Sequence, residues 1–420
     1  MKTVCVIPLV LALVWPGVAP AQVSAQRADS LEREVRSLRA RIDSLEVLVQ
    51  RLARQGRDTA APADELAALR AAARAAAQRS DTARAPAGQA PAFVDRGRNL
   101  NQLNPEISVA SDIRFHATRE QPLQDNVELR EFEFSFQSAL DPFSSTKIFA
   151  SFEEGDIEIE EAYAYWTALP GRLRLDLGRF RQQMGELNRW HSHALPESEY
   201  PLVLREFGGE EGLIGNGLGL YWIVPAGGGA HGTHELWAQV TLADNEPLFD
   251  AGNRPALLGH LNNYWQLGPS AFVQVGGTAM YGENPDADLK TRLLGLDVRF
   301  TWRPPARALY RSFTLRGEGY QLRRDAAGAV QTRYGAYASA QYQLGRRWYA
   351  GARYDYVELT PDTRQWIVTP HLTWWQSEWV YLRAEWQRQA VPVLPGLVDH
   401  SDRFVIQAVW AIGPHKHEIY

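Results

Sequence analysis

Trp190-His191-Ser192-His193 comes nearest to reactive chemistry in this chain, setting two imidazoles around a hydroxyl. Two histidines at i and i+2 supply at most half of a tetrahedral metal site. A serine nucleophile needs a converging base and an orienting group, and no such triad is visible. The plain reading is therefore polar packing within a loop. His415 and His417 form a second His-x-His far along the chain, placed so that the two pairs do not share an ion. No GxGxxG, P-loop or HExxH pattern occurs, so no cofactor, metal or catalytic set is expected and the chain does not read as an enzyme.

A second chemical signal is charge. Glu153 to Glu161 holds six acids among nine residues, with Glu158 and Glu160 on one face and Glu161 beside them. Such a stretch could hold calcium or a cationic solute. The favoured reading sets it, with Glu131 and Glu133, against Arg174 and Arg179 across the transverse field of a water-filled lumen. Charges spaced two apart recur at Asp297 with Arg299, Arg316 with Glu318, Arg353 with Asp355, and Arg383 with Glu385. Arg181, Arg189 and Arg205 share the longest connection with Glu186, Glu197 and Glu199, where confinement makes each charge count for more. Glu210, Glu211, Asp286 and Asp288 read as solvated charges.

The elements that would position these residues are strands. Beyond Leu100 polarity alternates with period two in segments of about ten residues. Phe132, Phe134, Phe136 and Leu140 mark one apolar face; Leu173, Leu175 and Leu177 another. Leu294, Leu296, Val298, Phe300 and Trp302 make a third, and Trp366, Val368, Leu372 and Trp374 a fourth. Alternation alone fits a soluble sandwich equally well. Aromatic residues at strand ends favour a membrane barrel with two interfacial girdles: Trp302, Tyr310, Trp348, Tyr356, Trp366, Trp374, Trp375 and Trp379.

Turn chemistry gives a second reason. Tight turns are expected at 141–144, 169–172, 267–270, 344–347 and 375–378. Longer connections are expected at 116–126, 181–215, 244–258, 281–288, 323–330, 358–362 and 390–400, in alternation with the tight set. The expectation is an all-β, antiparallel transmembrane barrel of about sixteen strands over residues 104–420. Sixteen strands leave an aqueous bore, whereas eight would be filled by side chains.

Upstream, Lys2, an apolar run from Val4 to Val14 and Ala19-Pro20-Ala21 read as a signal peptide over residues 1–21. Its Cys5 is the chain's single cysteine, so disulfides and thiolate sites are excluded from the exported part. Leu31, Val35, Leu38, Ile42, Leu45, Val49 and Leu52 alternate steps of four and three, predicting a periplasmic coiled coil over 28–55. β-Branched residues at a with leucine at d favour two strands. Residues 56–103 read as an Ala/Pro-rich helix and linker. Charged residues at 22%, a mean hydropathy of −0.33 and 14 Trp do not describe a bundle of membrane helices. A net charge of −5 gives no reason to expect nucleic acid as a partner.

Leu175-Asp176-Leu177-Gly178-Arg179-Phe180, Met184-Gly185-Glu186, a long loop and the return at Gly217-Leu218-Gly219-Leu220 resemble the phosphate-selective porin (O/P-like) superfamily. Asn104 to Ser108, the segment Gly413 to His417 and the terminal Tyr420 are also similar to uncharacterised outer-membrane proteins with an N-terminal coiled coil. Pro414 suits a last strand that ends at Ile412. The resemblance implies a trimeric channel for small hydrophilic solutes, narrowed by a loop folded into the lumen and surrounded by outer-membrane lipid. It does not carry anion preference, because the chain has four lysines and, from residue 106 onward, 29 basic against 39 acidic residues. Two further readings are an envelope tether with an incidental pore and an outer-membrane enzyme.

Overall fold

The computed structural model describes residues 105–413, apart from 119–126, 154–155, 226–231, 244, 250–253, 284–288, 327–328, 361 and 395–396. The expected signal peptide, coiled coil and linker, and likewise Asp286, Asp288, His415, His417 and Tyr420, lie outside the described residues.

The two-residue period yields sixteen strands. They begin with β1 (Glu106–Thr118), β2 (Val127–Ala139), β3 (Ser144–Glu153), β4 (Asp156–Leu169) and β5 (Leu173–Arg181). After a long connection come β6 (Ile214–Val224), β7 (Thr233–Leu242), β8 (Pro255–Gln266), β9 (Ala271–Glu283) and β10 (Lys290–Trp302). The last six are β11 (Phe313–Ala326), β12 (Ala329–Gln343), β13 (Trp348–Thr360), β14 (Thr363–Trp375), β15 (Val380–Leu394) and β16 (Leu397–Ile412). Each pairs antiparallel with its sequence neighbours, and β1 closes onto β16 with Ile113 opposite Ala408. Closure leaves no unpaired sheet edge, the condition for a β-structure to sit in lipid.

The barrel is apolar outside and polar within. On β10, Leu294, Leu296 and Val298 are 55%, 70% and 43% exposed, while the alternating Leu293, Asp297 and Arg299 are 1%, 4% and 5% exposed. Inward polar residues of neighbouring strands share a register, as where Asp297 faces Glu318 and Arg299 faces Arg316. A soluble sandwich would bury the opposite face. Trp348 and Trp374 pack together at one end, with ring centroids 6.3 Å apart, and Trp379 and Tyr310, in connections on the same end, are exposed.

The expected alternation of connection lengths holds only in part. Tight turns occur where predicted. On the opposite end, however, residues 323–326, 329–330, 358–360, 390–394 and 397–400 belong to strands, leaving two-residue connections at 327–328, 361–362 and 395–396. The acidic stretch likewise contains a two-residue connection at 154–155. Strands here run to 16 residues, longer than the roughly 9–11 needed to cross a bilayer. Their polar extensions past the apolar band carry the charge and proline of loops, which misled the sequence reading. On the tight-turn end, Arg303 to Ser312 is a ten-residue connection whose length the sequence did not announce.

Candidate functional site

The connection from β5 to β6, residues 182–213, folds back into the barrel. Its entry depends on two departures from regular strand. In the β3–β4 ladder Phe149 opposes Glu161 and Ala150 opposes Ile159, so Glu160 is an extra residue and both Glu160 and Glu161 turn inward, each under 5% exposed. On β5, Gly178 has φ +137°, and a Cβ there would lie 2.3 Å from the Ala162 carbonyl oxygen. A side chain at this position would therefore force the two strands apart. Just beyond, Phe180 and Arg181 are both buried.

One wall holds the loop through its backbone. Gly185 takes φ +66° and donates its N–H to Thr278 Oγ1 at 3.1 Å. The next two amides, of Glu186 and Leu187, both donate to Glu318 Oε1 at 3.0 Å. Tyr337 and Tyr320 donate their hydroxyls to the same carboxylate at 2.9 and 2.5 Å. The Glu186 carboxylate in turn receives Arg299 at 2.5 Å and Arg316 at 3.3 Å. Further along, Arg383 donates to the Leu195 carbonyl at 2.8 Å, and Glu385 accepts from the Ser198 amide at 2.7 Å and its hydroxyl at 2.6 Å. Arg353 bridges Asp355 at 2.7 Å and Glu197 at 3.1 Å, while Asp355 accepts the Leu202 amide at 3.0 Å.

That amide opens a short helix, α1 (Leu202–Gly208), which lies on β12 and β13. Leu202, Val203, Leu204 and Phe207 are at most 2% exposed and share a hydrophobic cluster with Tyr320, Tyr337, Val357 and Ile367 of the wall. Apolar burial thus fixes the loop on this side, and the buried hydrogen bonds fix its register.

The other wall is acidic. Arg181 is fully buried, donating to Glu160, to the Glu211 carbonyl and, at 2.8 Å, to Tyr200 Oη, while its backbone N–H donates to Glu161 at 3.0 Å. His191 Nδ1 lies 2.5 Å from Glu133 and 3.2 Å from Glu160, and His193 Nδ1 lies 3.4 Å from Glu131. Burial alone would lower the pKa of His191, but Glu133 and Glu160 outweigh it and push the value up to about 10. Glu199 shows the opposite balance: burial disfavours its ionised form, yet Arg205, Arg403 and Arg114 hold it at about 2.

Residues 190–200 form a partition. Ser192, Ser198, Glu199 and Tyr200 line a cavity of about 210 Å³ that also receives Arg114 and Arg403. Trp190 and residues 193–196 line a cavity of about 490 Å³ on the opposite side, reaching Trp375 and Trp379 by the tight turns. The same stretch of chain thus lines both.

The closed sixteen-stranded barrel has known counterparts. It is similar to an anion-selective porin from Comamonas acidovorans, with a TM-score of 0.53 at 10% identity over 73% of this chain and 99% of that one. The outer-membrane channel DcaP of Acinetobacter baumannii gives a TM-score of 0.51 at 10% identity over 74% and 97%. OmpT of Vibrio cholerae in its trimer form gives 0.50 at 10% identity over 73% and 99%. The fold is that of the outer-membrane porins. No protein-family model matches the chain. An uncharacterized protein of Aquifex aeolicus (strain VF5) is 25% identical over 302 residues, 63% of this chain and 62% of that protein, so the match spans less than two thirds of the relative's length.

In this porin-type barrel most charges singled out in the sequence face inward, but not with the partners expected. Arg299, Arg316, Glu318, Arg353, Asp355, Arg383 and Glu385 hold the inserted loop. Glu131, Glu133 and Glu160 meet His191, His193 and Arg181 and do not oppose Arg174 or Arg179. Arg174 pairs at 2.7 Å with Asp176 of its own strand. Arg179, expected in the lumen, instead shares the outer face with the exposed Leu177 two residues before it; its register partner is Ala162, and it reaches Glu158 at 3.5 Å. Glu158 is largely exposed near the connection. In the loop, Arg205 does meet Glu199 at 3.2 Å, whereas Arg189 lies over the Trp237 ring at 5.1 Å. Glu211 is no free surface charge, since it pairs with Arg130. Both oxygens of Asp297 lack a hydrogen-bond partner, with His260 Nδ1 3.9 Å away.

Proposed function

We propose that the protein is a porin-like channel of the bacterial outer membrane that lets small hydrophilic or charged solutes diffuse passively. The observation that carries this reading is the inserted loop: a polar partition, built from 190–200, stands in a closed barrel between two cavities. A channel needs a water-lined bore wide enough for solutes and a constriction to select among them; sixteen strands and the cavities on both sides of the partition support the first, and the partition itself supports the second. The solved neighbours point the same way, since they include an anion-selective porin, an outer-membrane channel and a trimer form. We read the chain as a member of the phosphate-selective porin superfamily, assembling as a homo-oligomer without enzymatic activity, with its N-terminal coiled coil in the periplasm. Anion selectivity is not part of the proposal, because acids outnumber bases in the barrel and the partition carries both signs. The test is reconstitution of the folded protein in planar bilayers. Discrete conductance steps with a measurable cation-to-anion ratio are expected, and a correctly inserted barrel that passes neither ions nor small sugars contradicts the reading.

A further inference from the structure

We infer that Glu131, Glu133, Glu160 and His191 form a binding site for one divalent transition-metal cation, which ties the inserted loop to the barrel wall. Each residue offers a ligand atom, all four are buried, and these atoms lie within 4.8 Å of one another, so drawing in by about an ångström sets them at bonds of about 2.0–2.2 Å to a common ion. The donors come from three separate elements. Glu131 and Glu133 stand two apart on β2, Glu160 is the bulged residue of β4, and His191 descends from the loop. The bulge is informative, because a regular β4 could not turn both Glu160 and Glu161 inward.

Charge is compatible with the same assignment. Four carboxylates, of Glu131, Glu133, Glu160 and Glu161, are gathered here with Arg181 and the imidazoles of His191 and His193 among them. A dication in place of the His191 proton brings the cluster closer to neutral. A proton on His191 is the competing occupant, which the metal has to displace. The donor set chooses the class of ion: three carboxylates with one imidazole suit Mn²⁺ or Zn²⁺ better than a thiolate-seeking ion or an ion held only by oxygen. The route in is present, since Ser192, which donates to Glu131, lines the cavity of about 210 Å³ above the site. Sequence reasoning picked out all four residues, His191 in the His-x-His pair and Glu131, Glu133 and Glu160 as lumen carboxylates, but did not bring them together, because the carboxylates lie 31 to 60 residues upstream of His191.

The experiment uses the full-length protein, folded in detergent and stripped with a chelator, then titrated with Co²⁺ alone and with Zn²⁺ in competition. The inference expects one Co²⁺ per chain, a visible absorption band that Zn²⁺ abolishes, and slower trypsin cleavage at Arg189 once metal is bound. Losing an outer hydrogen-bond partner of a ligand costs roughly 10- to 100-fold in affinity, so H191Q and E133Q should each weaken binding by at least that much. Heat-modifiable migration in gels checks that each variant still forms a barrel. The wild-type titration needs no variant: absence of saturable Co²⁺ and Zn²⁺ binding at one per chain overturns the inference. Binding that survives both substitutions in folded barrels overturns it as well.

Discussion

Arg353 of β13 lies 3.1 Å from the Glu197 carboxylate of the inserted loop, 156 residues away in sequence, with both side chains at most 3% exposed. The same guanidinium holds Asp355 at 2.7 Å and the Glu199 carbonyl at 2.7 Å. Removing its charge strands two buried carboxylates, and breaking a buried pair from one side costs about 3–5 kcal/mol. Arg353→Met should therefore release the loop while the barrel stays closed. Trypsin should then cut at Arg189 and Arg205 in a protein that keeps its heat-modifiable migration; an uncut loop would show that the apolar cluster alone suffices.

Gly185 turns the chain into the lumen with φ +66°, and a methyl group there would collide with Glu318 Oε2 and Tyr320 Oη. Gly185→Ala should cost at least about 1 kcal/mol locally. Hydrogen exchange followed by mass spectrometry should show residues 185–190 exchanging roughly fivefold faster or more, with strand peptides unchanged. Exchange at the wild-type rate would mean that Glu318 is not what holds this turn.

The outward face of β10 tests the membrane assignment. Leu296 is 70% exposed, so in water a charge there would be almost free. In a bilayer Leu296→Arg should cost about 2–4 kcal/mol if it sits near the midplane. Urea titration of folding into lipid vesicles reads this directly, and a shift within error would argue that the face meets water.

Glu199 gives a pH dependence with a defined sign. Its carboxyl is held at about 2, below the usual carboxylate range. A depressed value means its contribution is present above the ordinary carboxylate pKa and is lost as pH falls through about 2. Loop protection against pepsin should therefore persist at pH 4 and weaken as pH approaches 2. Glu199→Gln should weaken protection already at pH 4, and a variant indistinguishable from wild type there would remove Glu199 from the set of loop anchors.

The barrel was legible because its signal is local: Leu294, Leu296 and Val298 alternate with Asp297 and Arg299, and a period of two needs no knowledge of partners. The loop's contacts were not, because they join residues as far apart as Ser198 and Glu385. Inward charges on the wall were recognisable by spacing, yet their partners were backbone amides of Glu186, Leu187 and Leu202, which carry no sequence signature. Arg179 and the extra residue at Glu160 were misplaced for different reasons. Arg179 shares the parity of Leu175 and Leu177 and so their outer face, but its charge was read as inward; at Glu160 a β-bulge breaks the alternation, and beyond such a break parity no longer tells inside from outside.

The most direct test of the constriction is single-channel conductance of the wild type beside a variant lacking residues 195–204, with heat-modifiable migration confirming the barrel. This account predicts larger conductance for the deletion, together with an altered cation-to-anion ratio, because Glu197, Glu199 and the wall of the partition are removed. Equal conductance and equal selectivity in two folded proteins would place the narrowest cross-section elsewhere and contradict the account.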